Sequence, residues 1–211
     1  MQVTIFGATG GIGSELVKQS LAEGWRVRVL VRNPAKLGNS RADLDVTVGD
    51  VLDPAAVAAA IGRDTHAVFS ALGASGAERH VTVFSGGVRN IIAAMEAVGT
   101  PRFLGVSAAA LHIDRYDALF LKIAKAALQR MFRANFDDLR RMEAVVQKTQ
   151  LAWTLVVPPR LMNAPFTGTY RTALDHNLAR GFSIARADVA HCMLRAVHEK
   201  NTFGRMLFIA S

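Results

Sequence analysis

A doubly wound α/β fold, with a single parallel sheet and helices on both of its faces, is predicted by three observations. The apolar period switches repeatedly between two and 3.6 along the chain. A glycine cluster joins the first strand-like run to the first helix-like one. No linker, low-complexity tract or internal repeat interrupts the 211 residues. Alternating strands and helices imply a parallel sheet covered on both faces, and right-handed crossovers make the doubly wound arrangement the simplest topology. A chain of this length buries roughly 70% of its unfolded surface, so one domain over residues 1–211 is the economical reading.

The elements follow in order. Gln2 to Phe6 is a short β-rich run, and after the glycines Ile12, Leu16, Val17 and Leu21 recur at helical spacing until Gly24 stops the pattern. Arg26 to Val31 alternates basic and apolar side chains as a strand does, and Asp45 to Val48 reads as a third strand. Pro54 to Ile61 is a helix with Asp53 as cap and Pro54 at the first helical position. Ala67 to Leu72 is a strand, His80 to Val98 a long helix and Phe103 to Ser107 another strand. Tyr116 to Lys148 is strongly helical with a break near Asn135, and Ala152 to Val157 is a strand ended by Pro158 and Pro159. Ala187 to His198 is a helix capped by Asp188 or by residues before it, and Arg205 to Ile209 is the last strand. Residues 160–183 form an irregular excursion expected to face the substrate.

Composition narrows the function. Lys and Arg number 25 against 17 Asp and Glu, a formal charge of +8, which favours an anionic partner. The basic residues are spread from Arg26 to Arg205 without interleaved stacking aromatics, so a small anionic molecule is expected and a nucleic acid is not. Cys192 is the single cysteine and has no metal-ligand spacing around it, which points to a reducing, cytoplasmic setting. Met1 to Phe6 carry no secretion-signal regions, and no stretch approaches the ~18 uninterrupted apolar residues of a membrane span.

The chemistry-bearing residues begin with Gly7, Gly10 and Gly13, placed between the first strand and the first helix. A turn there that also holds Thr9, Gly11 and Ile12 lets backbone approach a pyrophosphate, and the helix N-terminus adds unpaired N–H donors. The same spacing alone would suit any tight strand-to-helix turn; its place at the head of an alternating β/α chain points to a Rossmann-like dinucleotide site. In an NAD site the second strand commonly ends in an acidic residue that accepts from the adenosine ribose. Here Arg32 and Asn33 stand at that end, with Lys36 close behind. A cation there pairs with a 2′-phosphate for about 1.5–3 kcal/mol, which favours NADP(H) over NAD(H).

These residues resemble a known family. Ile5-Phe6-Gly7-Ala8-Thr9-Gly10, Val29-Leu30-Val31-Arg32, Val48-Gly49-Asp50-Val51-Leu52 and Arg89-Asn90-Ile91-Ile92-Ala93-Ala94-Met95 are similar to the atypical short-chain dehydrogenases/reductases. Within them the biliverdin-IXβ and flavin reductases come nearest, through Val106-Ser107-Ala108, Val157-Pro158-Pro159, Thr167-Gly168-Thr169-Tyr170 and Asp188-Val189-Ala190. The resemblance implies that Asp50 and Val51 border the adenine, that Ala71, Leu72 and Gly73 carry backbone past the ribose, and that Ser107 sits by the nicotinamide. It also implies that Val157 to Pro159, with Pro158 at the centre, hold the carboxamide side.

The chain departs from its relatives in an informative way. The Tyr-x-x-x-Lys pair of ordinary short-chain dehydrogenases, which protonates an alkoxide as hydride arrives, is missing: Tyr116 is followed four residues on by Phe120, and Asn135 and Leu139 stand at the family spacing. A conjugated acceptor can instead be protonated by solvent, with Ser107 mainly positioning the nicotinamide or acceptor. Arg160 replaces the histidine that follows the two prolines in biliverdin-IXβ reductases, and Ala109 and His112 replace bulky aromatics. His112, Arg160, Phe166 and Tyr170 are the residues expected to meet the substrate; His176 is a lone histidine of either structural or functional kind. The helix carrying Leu119, Phe120, Ile123, Leu128, Met131 and Phe132 reads as core-packed, with Lys122, Lys125, Arg130 and Arg133 on a solvated face. Two functions remain in play: an NADPH-dependent reductase of a planar, conjugated, anionic acceptor such as a flavin, quinone or bilin, and a non-catalytic NADP(H) sensor of the NmrA type.

Overall fold

A computed structural model describes residues 1–37, 42–74, 81–115 and 117–211. Strand β1 (Gln2–Phe6) is buried at every position and leads through the glycine turn into α1 (Gly11–Ala22), β2 (Arg26–Val31) and β3 (Leu44–Val48). Helix α2 (Pro54–Ala60) starts as expected, with Asp53 Oδ1 accepting from the Ala55 amide at 2.9 Å and Pro54 in the first turn. Then come β4 (Ala67–Ser70), α3 (Val83–Val98), β5 (Arg102–Val106), α4 (Leu119–Met131), α5 (Arg133–Gln147) and β6 (Ala152–Val157). The remainder is β7 (Arg160–Met162), β8 (Arg171–Leu174), β9 (Ser183–Ala185), α6 (Arg186–Ala196) and β10 (Arg205–Ala210). His80 and Tyr116, predicted as the first residues of helices, lie outside the described residues.

The main sheet has eight strands in the order β3-β2-β1-β4-β5-β6-β10-β8, all parallel except that β8 runs antiparallel to β10. Alternate residues serve two cores. Val3, Ile5, Val27, Val29 and Leu104 join α1 and α6 on one face, while Phe6, Leu30, Val68, Phe103 and Leu155 join α2, α3 and α5 on the other. Burial on both faces explains why these strands read as apolar runs. The chain leaves β1 toward β2 and β3, then returns to β4 on the other side of β1, and that reversal opens a crevice at the carboxyl ends of β1 and β4.

Four expectations need correction. The excursion 160–183 is irregular over most of its length but also carries short strands: β7 pairs with β9 in a small second sheet, and β8 closes the edge of the main one. The long helix breaks at Phe132, where ψ turns to 40°, rather than near Asn135. Asp188 does not cap α6, whose N-terminus has no side-chain cap. Its carboxylate instead accepts from the Thr167 amide at 3.0 Å, the Thr167 hydroxyl at 2.8 Å and the Gly168 amide at 2.9 Å. Last, α4 buries none of its residues, and Leu119, Phe120, Ile123 and Met131 are 61–75% exposed. The physical reason lies on its inner face, where Lys125 Nζ donates to Asp117 at 2.7 Å and to the His112 carbonyl at 2.9 Å, and Gln129 Nε2 donates to the Ala110 carbonyl at 2.7 Å. Polar partners hold α4 down, so its apolar stripe turns outward. Among the described residues no helix is long and apolar enough to cross a membrane.

Helix α3 receives its cap from another helix. Thr82 makes no side-chain cap; instead Asp138 of α5, fully buried, accepts from the Phe84 amide at 2.9 Å, the Ser85 amide at 3.3 Å and the Ser85 hydroxyl at 2.5 Å. Removing that acceptor leaves buried donors unpaired, which costs about 1–3 kcal/mol. Asp138→Ala is therefore expected to lower stability by about 1–3 kcal/mol in urea denaturation, and Asp138→Asn, which keeps one acceptor, to recover part of the loss.

Candidate functional site

The crevice at the switch point is a cleft of about 610 Å³, within the range of small-molecule sites. Its lining comes from the ends of four neighbouring strands: the glycine turn after β1, Leu30 to Arg32 of β2, Ala71 to Ala74 after β4, and Val106 with Ser107 of β5. Gly49 to Leu52, Val81 to Phe84 at the start of α3, Leu139 of α5, Leu161 of β7 and Arg186 of α6 complete it.

At one end the three glycines have separate tasks. Gly7 has φ +80°, and a Cβ there would run into the Ala71 carbonyl. Gly13 is buried and absent from the lining; a Cβ there would run into the Gly7 carbonyl, so it seats α1 on β1. Gly10 is exposed in the cleft, and its Cβ would lie 3.2 Å from the Gly7 carbonyl. It is also the N-cap of α1 and makes no side-chain cap bond, so the amides of the first turn of a twelve-residue helix are left facing the cleft. Thr9, Gly11 and Ile12 line the same end. Arg186 is a residue that sequence reasoning missed. Its side chain crosses Gly11, with Cδ 2.5 Å from where a Cβ would stand, and NH1 donates to Asn163 at 2.6 Å. Nothing local marks it, because it reaches the turn across more than 170 residues of chain.

Toward β2, Arg32 is exposed and lines the cleft, whereas Asn33 and Lys36 do not. The Asn33 side chain accepts from the Ala35 amide at 3.0 Å and makes a local turn, and Lys36 lies exposed in the 3-10 turn Pro34–Leu37. Asp50 and Val51 both line the cleft. Asp50 is also a turn residue, accepting from the Leu52 amide at 2.9 Å, and Asn90 of α3 holds the Val51 carbonyl at 3.0 Å. Ala71, Leu72 and Gly73 pass along the opposite wall.

At the β5 end Ser107 is buried and its hydroxyl donates to Glu143 of α5, while His112 Nε2 lies 2.9 Å from the same carboxylate oxygen. Glu143 is the second residue that sequence reasoning missed; it stands one helical turn beyond Leu139, and only the docking of α5 reveals its partners. Leu139 is the α5 side chain that faces the cleft, and among the described lining residues there is neither tyrosine nor lysine.

Pro158, expected on the carboxamide side, and His112, Arg160, Phe166 and Tyr170, expected to meet substrate, are all absent from the lining. Pro158 is buried, accepts from the Ala109 amide at 2.8 Å and does not line the cleft. On β7 successive side chains point to opposite faces, so Leu161 reaches the cleft and exposed Arg160 does not. His112 stands behind Ser107 and is likewise absent from the lining. Tyr170 is held by α6, its hydroxyl 2.8 Å from His191 Nδ1, and burial pushes its ionisation above the ordinary tyrosine range. The Phe166 ring packs on the same histidine at 5.0 Å. This Thr-Gly-x-Tyr segment anchors the excursion to α6. His176 lies exposed, with Nδ1 3.1 Å from the Asn177 carbonyl oxygen. Cys192 is buried, and burial pushes its thiol up to about 12, so it stays protonated at neutral pH.

Comparisons with known proteins agree with this geometry. The profile of a family described as NAD(P)H-binding matches residues 7–200. A Bacillus subtilis protein described as the uncharacterized sugar epimerase YhfK is 30% identical over 97% of this chain and 92% of its own length. Among solved structures, a short-chain dehydrogenase/reductase of Veillonella parvula in complex with NADP superposes with TM-score 0.79 at 18% identity, covering 100% of this chain and 94% of that one. The anaerobillin reductase ChuY of Escherichia coli O157:H7 superposes with TM-score 0.76 at 23% identity, covering 100% and 97%. These likenesses extend the shared fold along the whole chain.

The differing surroundings of the glycines yield a paired prediction. Gly10→Val is expected to remain folded yet lose NADPH binding in calorimetry, because its side chain would fill the turn's open face. Gly13→Ala is expected to lose about 1–3 kcal/mol of stability, as an overpacked helix–strand contact does.

Proposed function

The chain belongs to the NAD(P)H-binding family, and we propose that it is an NADPH-dependent reductase that passes hydride to a planar, conjugated, anionic acceptor such as a flavin, quinone or bilin. The observation that carries this reading is the pairing of Ser107 with Leu139 at the β5 end of the cleft. Carbonyl reduction in ordinary short-chain dehydrogenases uses a Tyr/Lys general acid beside the forming alkoxide, and Leu139 presents an apolar wall where α5 would supply that pair. A flat conjugated ring system is suited to such a wall and spreads the arriving charge over many atoms.

The residues on the other side of the cleft suit the dinucleotide. Free amides at the start of α1, with Arg186 across the turn, would hold a pyrophosphate. Arg32 would pair with a 2′-phosphate, Asp50 and Val51 would border the adenine, and backbone at Ala71 to Gly73 would pass the ribose. Val106 and Ser107 would face the nicotinamide. NADPH supplies the hydride when bound. The chain's contribution is to stack the two rings at close range and to keep water from between them. The anaerobillin reductase neighbour supports an acceptor of the bilin kind, and a cytoplasmic setting accords with this chemistry.

A second reading has its own supporting observation. The outward apolar stripe of α4 suits a protein that reports its cofactor state to a partner, as a sensor of the NmrA type would.

Two measurements test the proposal. NADPH is expected to bind at least about tenfold tighter than NADH, the lower end of a charge-assisted contact, and Arg32→Ala to erase most of that gap in calorimetry; equal affinities in the native protein would remove the NADP(H) preference. With FMN or dichlorophenolindophenol, NADPH oxidation is expected to be measurably faster than with simple aldehydes or ketones. Tight cofactor binding with no acceptor reduced would transfer support to the sensor.

A further inference from the structure

Behind Ser107 lies a line of hydrogen bonds that the hydride chemistry does not by itself require. Ser107 directly follows β5 and lines the cleft, Glu143 on α5 is 7% exposed, and the His112 side chain, from the loop after β5, is 23% exposed. One oxygen, Glu143 Oε1, accepts from the serine hydroxyl and lies 2.9 Å from His112 Nε2. The imidazole is held by its surroundings: its ring meets Phe208 edge-on at 5.4 Å, and its own carbonyl accepts from Lys125 Nζ and from Asn177 Nδ2, each at 2.9 Å. The other charged groups facing this stretch are engaged among themselves. Lys125 is paired with Asp117 at 2.7 Å, and Asp114 accepts from the Asn177 amide at 2.7 Å. A carboxylate is seldom buried unless its lone pairs are used, and here the groups that use them join solvent to the cleft.

We infer that Ser107, Glu143 and His112 form a proton relay that delivers the proton accompanying hydride transfer. The inference rests on the reductase reading above, and it replaces the expectation that solvent protonates the acceptor directly. Each turnover needs one hydride, supplied by NADPH, and one proton. The His112 imidazolium passes its Nε2 proton to Glu143, whose carboxyl O–H then donates to the Ser107 oxygen and turns the serine hydrogen toward the cleft. As the acceptor takes up hydride, the Ser107 O–H bond breaks and its proton goes to the acceptor. The Glu143 proton moves to the serine oxygen, and the imidazole regains a proton from solvent. The sum is NADPH, acceptor and one proton giving NADP⁺ and the reduced acceptor. Ser107 is the catalytic residue of the three; Glu143 and His112 act through it.

Steady-state oxidation of NADPH by FMN tests the relay, with NADPH affinity measured in parallel on each variant. Ser107→Ala and Glu143→Gln are expected to lower kcat by about 10² while NADPH affinity stays within about twofold, as the loss of a general acid does. Because Glu143 is buried and its replacement can disturb folding, the partly exposed His112 provides the independent variant. His112→Ala is expected to lower kcat at least about tenfold and to be restored by added imidazole, a rescue that a merely structural role would not show. Native turnover with all three variants keeping its kcat would overturn the relay and leave the reductase reading standing. A native protein that binds NADPH and reduces no acceptor would overturn both.

Discussion

The cleft depends on a close approach of backbone at the glycine turn after β1. Gly7 turns the chain out of β1 with a positive φ, its own carbonyl lies against Gly13 of α1, and its Cα lies against the Ala71 carbonyl after β4. Side chains at either glycine would push these segments apart. With hydrogen atoms alone between them, α1 begins directly over the end of β1, and its free amides open into the reversal of strand order. The glycine spacing thus shapes the cleft before it can serve any ligand: Gly7 and Gly10 line it, while Gly13 is spent on seating the helix.

Helix α5 carries the second set of constraints within six residues. Asp138 caps α3, Leu139 walls the cleft, Met142 enters the core and Glu143 receives Ser107. Their spacing at one, four and five residues puts them on one helical face, so a single docked surface sets the fold's second layer and the chemical character of the β5 end together. A change that shifts α5 along its axis would move all four at once. Structure and site are coupled here by geometry, whatever reaction the cleft supports.

The excursion after β6 is fastened by polar contacts where a core is thin. Asp188 gathers three donors from Thr167 and Gly168, Tyr170 bonds His191, and Asn177 ties the loop to Asp117 at 3.2 Å and to the His112 carbonyl. Lys125 and Gln129 fasten α4 in the same manner. Hydrogen bonds of this kind contribute roughly 1 kcal/mol each, with more for charged partners, so several are needed to fix a segment. The outcome is that α4 presents its apolar side to solvent, opposite to the usual placement of an amphipathic helix.

The sequence by itself determined what depends on local periodicity and on residues adjacent in the chain. The order of strands and helices outside the excursion, the Asp53 cap, the glycine turn and the cleft position of Arg32 were legible because each follows from a repeat of two or 3.6 or from a strand's carboxyl end, while the places of Asp50, Val51 and Ser107 were implied by the family resemblance. Orientation between distant segments was not legible. That Arg160 turns away while Leu161 turns in, that Tyr170 and Asp188 serve as anchors, and that α4 lies apolar side outward all depend on which element packs against which. Arg186 over Gly11 and Glu143 between Ser107 and His112 belong to the same class. A side chain's local pattern says which residues share its face, but the partner across that face is chosen by the tertiary fold, where satisfaction of buried polar groups decides between arrangements that the local pattern leaves equal.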